Sequence, residues 1–158
     1  MIMKWKKYKP YAVSIAIPLA VGGISAFFTM KGMPYFQMQE KPWFQPPNAA
    51  FPIVWTVLYT LMGISAARIW KSNDPKKKRA LHTYGLQLAV NFLWTVIFFS
   101  LHMYFLGFLW LLLLIALVAK MILQFAQIDL KAAKLQIPYL IWCCFAAVLN
   151  FSIWWLNR

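Results

Sequence analysis

The chain has 158 residues, of which 63% are hydrophobic and only 12% charged, with a mean hydropathy of +0.62. A soluble globule carries roughly twice that share of charge, and here there is too little polar surface to cover a water-facing exterior; a soluble domain, a disordered chain, a coiled coil and a disulfide scaffold are excluded. Sixteen Lys and Arg against three acids give a net charge of +13, a balance that by itself points toward nucleic acid.

The distribution of that charge argues for a membrane instead. A bilayer core of about 30 Å takes roughly 20 apolar helical residues, because backbone amides cannot be left unpaired in lipid. Lys9 and Lys31 enclose 21 uncharged residues, Lys41 and Arg68 enclose 26, Arg79 and Lys120 enclose 40, and Lys134 and Arg158 enclose 23. As one helix the 40-residue run would be about 60 Å long, twice the hydrocarbon thickness, so it must turn back, near His102 and Met103. An all-α integral membrane protein follows, a single domain over residues 1–158 built as a bundle of five transmembrane helices.

In chain order the spans are expected at Pro10 to Met30, Asn48 to Trp70, Ala80 to Leu101, Tyr104 to Ile128 and Lys134 to Asn157. Four lysines ahead of the first run resemble the start of a secretory signal, but 21 residues is span length rather than signal length. Pro46 and Pro47 introduce the second span, with Asn48 as its cap. Pro18, Pro52 and Pro138 lie inside or near first turns, where kinks are expected.

Five spans put Lys4, Lys6, Lys7, Lys9, the loop from Lys71 to Arg79, Lys131 and Lys134 at one end of the bundle, and only Lys31, Lys41 and Arg158 at the other. By the positive-inside rule the N-terminus is expected to be cytoplasmic and the C-terminus outside; the expected location, the plasma membrane of a bacterium, goes beyond that rule. The same asymmetry accounts for the basic balance with no nucleic-acid partner.

Conventional catalytic chemistry finds little to stand on. Cys143 and Cys144 are neighbours on one helix, about 100° apart, and cannot form an ordinary bridge. His82 and His102 lie at opposite ends of a span and cannot share a metal. Glu40, Asp74 and Asp129 fall in separate loops, and no carboxylate pair, Cys-His pair or Gly-rich phosphate loop occurs. Neither a metal nor a cofactor is expected.

What the spans do carry is aromatic and amide side chains at helical spacing. Phe51, Trp55 and Tyr59 share one face of the second span; Gln87, Asn91, Trp94 and Phe98 one face of the third; Tyr139, Trp142, Ala146 and Asn150 one face of the fifth. Amides turned inward can simply bond across helices, and tryptophans near span ends are interfacial belts. Trp55, Trp94 and Trp142 lie deeper and are expected to line a cavity for a flat, apolar ligand with a polar edge. Residues 31–47, with Tyr35, Lys41, Trp43, Phe44 and four prolines, are too apolar to float in water and are expected to form an outward lid, with Lys31 and Lys41 placed to meet an anionic group. Gly22-xxx-Ala26, Gly63-xxx-Ala67 and Gly85-xxx-Ala89 allow close helix approach, the last of them in a possible homodimer.

The run Lys41-Pro42-Trp43-Phe44-Gln45-Pro46-Pro47 leading into Phe51-Pro52-Ile53-Val54-Trp55-Thr56-Val57-Leu58-Tyr59, with Gln87 to Trp94 and Pro138 to Trp142, resembles the translocator protein family, the tryptophan-rich sensory proteins once called peripheral benzodiazepine receptors. The resemblance covers nearly the whole chain. It implies a five-helix bundle, often dimeric, that binds porphyrins of the protoporphyrin type, sterols and synthetic ligands in a pocket beneath the first loop. Its pocket residues would be Trp55, Trp142, Ala146 and Asn150, with Tyr59, Asn91, Trp94 and Tyr139 alongside. The implied roles are receptor or sensor, transporter of porphyrin or other amphipaths, or a protein that degrades porphyrin in light through Trp55 and Trp142. The chain departs from the family pattern at Ala49, at Tyr35-Phe36 and at Phe151, where many relatives carry Trp, Trp-Tyr and Tyr.

Overall fold

The computed structural model describes residues 1–158. Its helices are α1 (Ile2–Gln37), α2 (Ala50–Lys71), α3 (Lys77–Thr95), which continues into a π-helical segment at Val96–Ser100, α4 (Tyr104–Ala126), α5 (Leu130–Leu135) and α6 (Ile137–Leu156). With α5 and α6 taken together as one unit, five helical segments are long and apolar enough to cross a membrane, and there are no strands. The all-α five-span architecture is therefore the observed one.

Several boundaries differ from the expected ones, each for a local reason. α1 does not end at Met30 but runs through Pro34 to Gln37. Tertiary contact carries it there: Gly32 lies against the Phe99 backbone, and the Phe36 ring packs on Phe98 and Phe99 at 5.6 and 5.5 Å. The connection to α2 thus begins at Met38, and Tyr35 belongs to a helix rather than to a loop. α2 begins at Ala50; the Ala50 amide donates to the Pro47 carbonyl at 2.9 Å, and Asn48 is exposed and caps nothing. The fifth span is broken at Gln136, and Pro138, which has no N–H to offer the preceding turn, stands in the first turn of α6, where none is needed.

The long apolar run turns back where its length requires. The Leu101 amide reaches five residues back to the Val96 carbonyl at 3.0 Å, and His102 takes a left-handed φ of 55° before α4 starts. Nothing else outside glycine has a positive φ.

Lipid tails are as apolar as leucine, so packing and interhelical hydrogen bonds hold such a bundle together. α4 presents Leu111, Leu114, Val118, Met121 and Phe125 at spacings of three and four, and these meet Met62 and Ile69 of α2 and Cys143 of α6 in the main core. The Trp110 indole donates to the Val90 carbonyl at 2.8 Å, joining α4 to α3, and the Ser65 hydroxyl donates to the Ala132 carbonyl at 2.7 Å, joining α2 to α5. α1 and α2 touch backbone to backbone at Gly63, where an added Cβ would lie 2.7 Å from the Ser14 carbonyl oxygen. The backbone of α6 packs on α4 and stands off from α2. Rings fill the gap between α2 and α6.

Candidate functional site

Those rings come from residues four apart on α2 and three apart on α6, so they stack along facing stripes. Trp55 lies against Tyr59 at 5.4 Å with the planes 29° apart, and meets Tyr139 edge to face at 6.2 Å. Trp55 and Trp142 stand at 89° to each other with centroids 6.5 Å apart. Phe51 and Phe145 close on Trp142 at 5.9 and 5.4 Å, and Phe44 from the α1–α2 connection rests on Phe145 at 6.4 Å. Phe44 thus brings the α1–α2 connection against the end of the seam nearest Phe51.

Below the rings lies a closed polar relay. The Asn91 amide donates to the Tyr139 hydroxyl at 3.0 Å, and that hydroxyl donates to Gln87 Oε1 at 2.7 Å, all three residues being buried. A second pair of bonds forms one layer away: the Trp94 indole donates to Asn150 Oδ1 at 3.1 Å, and Asn150 Nδ2 donates to the Tyr104 carbonyl at 2.7 Å. The inward amides are thus spent on the Tyr139 hydroxyl, the Trp94 indole and the Tyr104 carbonyl of neighbouring helices, as amides in lipid must be.

This geometry divides the expected site residues. Trp55, Tyr59, Tyr139 and Trp142 come together in one cluster, with Ala146 half-buried on the same face of α6. Trp94 and Asn150 sit in a separate group with Phe98 and Tyr104, where the rings of Trp94 and Phe98 are 5.2 Å apart. Asn91 and Asn150 each donate from their side-chain amide to a protein partner, whereas the indole N–H groups of Trp55 and Trp142 donate to nothing in the protein and are not sealed from the outside. Those two indoles are the open donors of the seam.

The lid residues also separate. Tyr35 stacks on His102 at 3.9 Å, tying the end of α1 to the α3–α4 turn rather than covering the seam. Trp43 is 95% exposed and touches the site only through the edge of Phe44. Lys41 Nζ donates to the carbonyls of Gln37 and Gln39, both at 3.1 Å, and so caps α1. Lys31 lies over the Phe27 ring at 4.5 Å. Residues outside the expected site prove central: Phe145, whose spacing of three from Trp142 was readable, and Asn157, which bonds the Glu40 backbone and had no signal beyond being an amide at a helix end. The Gly85-xxx-Ala89 pair remains on an exposed face of α3, with nothing near Gly85.

Residues 14–156 match the TspO/MBR family. The chain is 40% identical over 147 residues to the tryptophan-rich protein TspO of Archaeoglobus fulgidus, covering 91% of this chain and 94% of that one. It is 37% identical over 149 residues to protein CrtK of Rhodobacter capsulatus, covering 93% and 92%. Against the human translocator protein it is 29% identical over 157 residues, covering 98% and 92%.

Proposed function

The chain belongs to the TspO/MBR family, and on that premise we propose that it is a membrane receptor for a flat hydrophobic tetrapyrrole of the protoporphyrin class, held between α2 and α6. A single observation carries the proposal: two perpendicular indoles 6.5 Å apart, Trp55 and Trp142, whose N–H groups have no protein partner. A macrocycle slipped into the seam exchanges ring–ring contact for ring–macrocycle contact and gains two donors for its polar edge. Tyr59, Tyr139 and Phe51 extend the wall, and Ala146 leaves room beside Trp142. Phe44 and the connection that carries it must lift for entry. In the orientation that fits the basic residues, the seam opens toward the outer leaflet and the end bearing Lys71 to Arg79 faces the cytoplasm.

The test is a dark titration of the purified protein in detergent with protoporphyrin, followed by tryptophan quenching, beside Trp55→Phe and Trp142→Phe and a dye that only partitions into micelles. Saturable binding weakened in both variants is the expected result. Quenching indistinguishable from the micelle control would overturn the proposal.

A further inference from the structure

At the opposite end of the bundle a cleft of about 460 Å³ opens where α1, the end of α2 and the start of α5 meet. Arg68, Lys71 and Lys131 face it with a single acid, Asp129, so three cations less one carboxylate leave a surplus of two positive charges. That carboxylate has nothing left to give. Its Oδ1 accepts from the amides of Lys131 and Ala132 as the cap of α5, and its Oδ2 accepts from Arg68 Nε at 2.8 Å. Lys71 Nζ lies 4.9 Å from the centre of the Tyr11 ring and, like Lys131 Nζ, has no oxygen partner in the protein. Asp129 fixes Arg68 through one nitrogen, leaving the end of the guanidinium fork to bind elsewhere.

We propose that this cleft is a binding site for a phosphate ester, and that its occupant is the headgroup of an anionic phospholipid. Depth decides between lipid and soluble phosphate. Lys71 is the last residue of a membrane-length helix, and Leu130 opens the last membrane-length segment, α5 with α6, so the cations sit at the level where lipid phosphates lie. Tyr11, Ile128 and Leu130 supply apolar walls that a headgroup with its glycerol and first methylenes can use and a free phosphate cannot. Lys76 and Lys78 carry equal charge but do not line this cleft, so they attract anions without shaping it.

The experiment measures retention of fluorescent phosphatidylglycerol by the full chain in micelles of neutral lipid, for the parent, for Lys71→Gln/Lys131→Gln and for Lys76→Gln/Lys78→Gln. Both pairs remove two charges, and the Arg68–Asp129 pair stays intact in each, with a thermal melt confirming the fold. The cleft variant is expected to bind about tenfold more weakly or worse, and the control to stay within about twofold. Inorganic phosphate is the competing probe. Displacement of the lipid only at phosphate concentrations far above the lipid's own supports a headgroup site, whereas saturable binding of inorganic phosphate that phosphatidylglycerol does not displace would overturn the lipid assignment. Equal losses in the two variants, or retention no greater than that of phosphatidylcholine, would overturn the site altogether.

Discussion

Asn157 grips the backbone of Glu40 from both sides: the Glu40 amide donates to Asn157 Oδ1, and Asn157 Nδ2 donates to the Glu40 carbonyl, each at 2.8 Å. The amide side chain thus imitates a strand neighbour, and it joins residues 117 apart in sequence. Because Glu40 lies four residues before Phe44, this clamp sets how the α1–α2 connection rests on Phe145.

Replacing Asn157 with Ala should therefore release the connection without disturbing the bundle. Loss of the two exposed bonds to Glu40 and of the Asn157 Nδ2 bond to the Ile153 carbonyl at the end of α6 is expected to cost about 1–2 kcal/mol, too little to unfold the spans. Amide exchange at Glu40 should accelerate and proteolysis between Met38 and Ala49 should become faster. Under the proposed function, porphyrin should also enter faster. Unchanged exchange at Glu40 would show that Phe44 packing alone holds the connection.

Tyr139 is the hub of the buried relay, accepting from Asn91 and donating to Gln87. Tyr139→Phe keeps the ring against Trp55 but strands two buried amide groups, at an expected cost of about 1–3 kcal/mol. The midpoint of thermal unfolding should fall, while porphyrin affinity changes no more than about threefold, because the aromatic wall survives. A large loss of affinity at unchanged stability would instead place the hydroxyl in contact with ligand.

Gly63 permits α1 and α2 to touch. An alanine there must push against the Ile15 and Ser14 backbones, which cannot swing aside as a side-chain tip would. Gly63→Ala is expected to destabilise by about 1–3 kcal/mol, read as a lower melting temperature. Gly85→Ala meets nothing within 4 Å and serves as the control, with a melting temperature that should not fall.

Asp129 contributes a pH dependence whose sign can be worked out. Partial burial would raise its pKa, but the Arg68 hydrogen bond and charge, with the amides of Ala132 and Lys131, outweigh this and hold it below the ordinary 3.8. A carboxylate depressed in the folded state stabilises fully above its unfolded pKa and loses that contribution as pH falls through the lower folded value. Melting temperature should therefore decline below about pH 4, and Asp129→Asn should flatten that decline. An equal acid dependence in the variant would show that it does not arise at Asp129.

The spans, their number and the turn at His102 were legible because charge spacing and helix rise are local quantities. The facing stripes of α2 and α6 were legible for the same reason, since spacings of three and four fix a helix face whatever packs on it. Which stripe meets which was not. Trp94, at equivalent depth to Trp55, turns its indole to Asn150 because α3 packs on α4 and the π-helical segment brings Phe98 and Phe99 around it. Tyr35 falls in the expected loop because Lys31 closes the charge-free run of the first span, and contact of Gly32 and Phe36 with Phe99 carries the helix past that point. Lys41 was free in the sequence and is engaged in the fold, because the carbonyls it caps exist only once α1 extends to Gln37.

The three deep tryptophans should consequently separate in one experiment. Trp94→Phe removes the indole N–H that satisfies Asn150 Oδ1, leaving a buried acceptor unpaired, so stability should fall by about 1–2 kcal/mol while binding persists. Trp142→Phe removes a donor that no protein group uses, so stability should change little and porphyrin affinity should drop by about tenfold, the worth of one polar contact together with lost ring area. Trp55→Phe should follow Trp142 rather than Trp94, with a modest further loss of stability from its stack on Tyr59. Paired measurements of melting temperature and quenching constant on the three variants test this division. If Trp94→Phe were the variant that lost affinity at constant stability, the ligand would have to lie between α3, α4 and α6, and the seam between α2 and α6 would be packing alone.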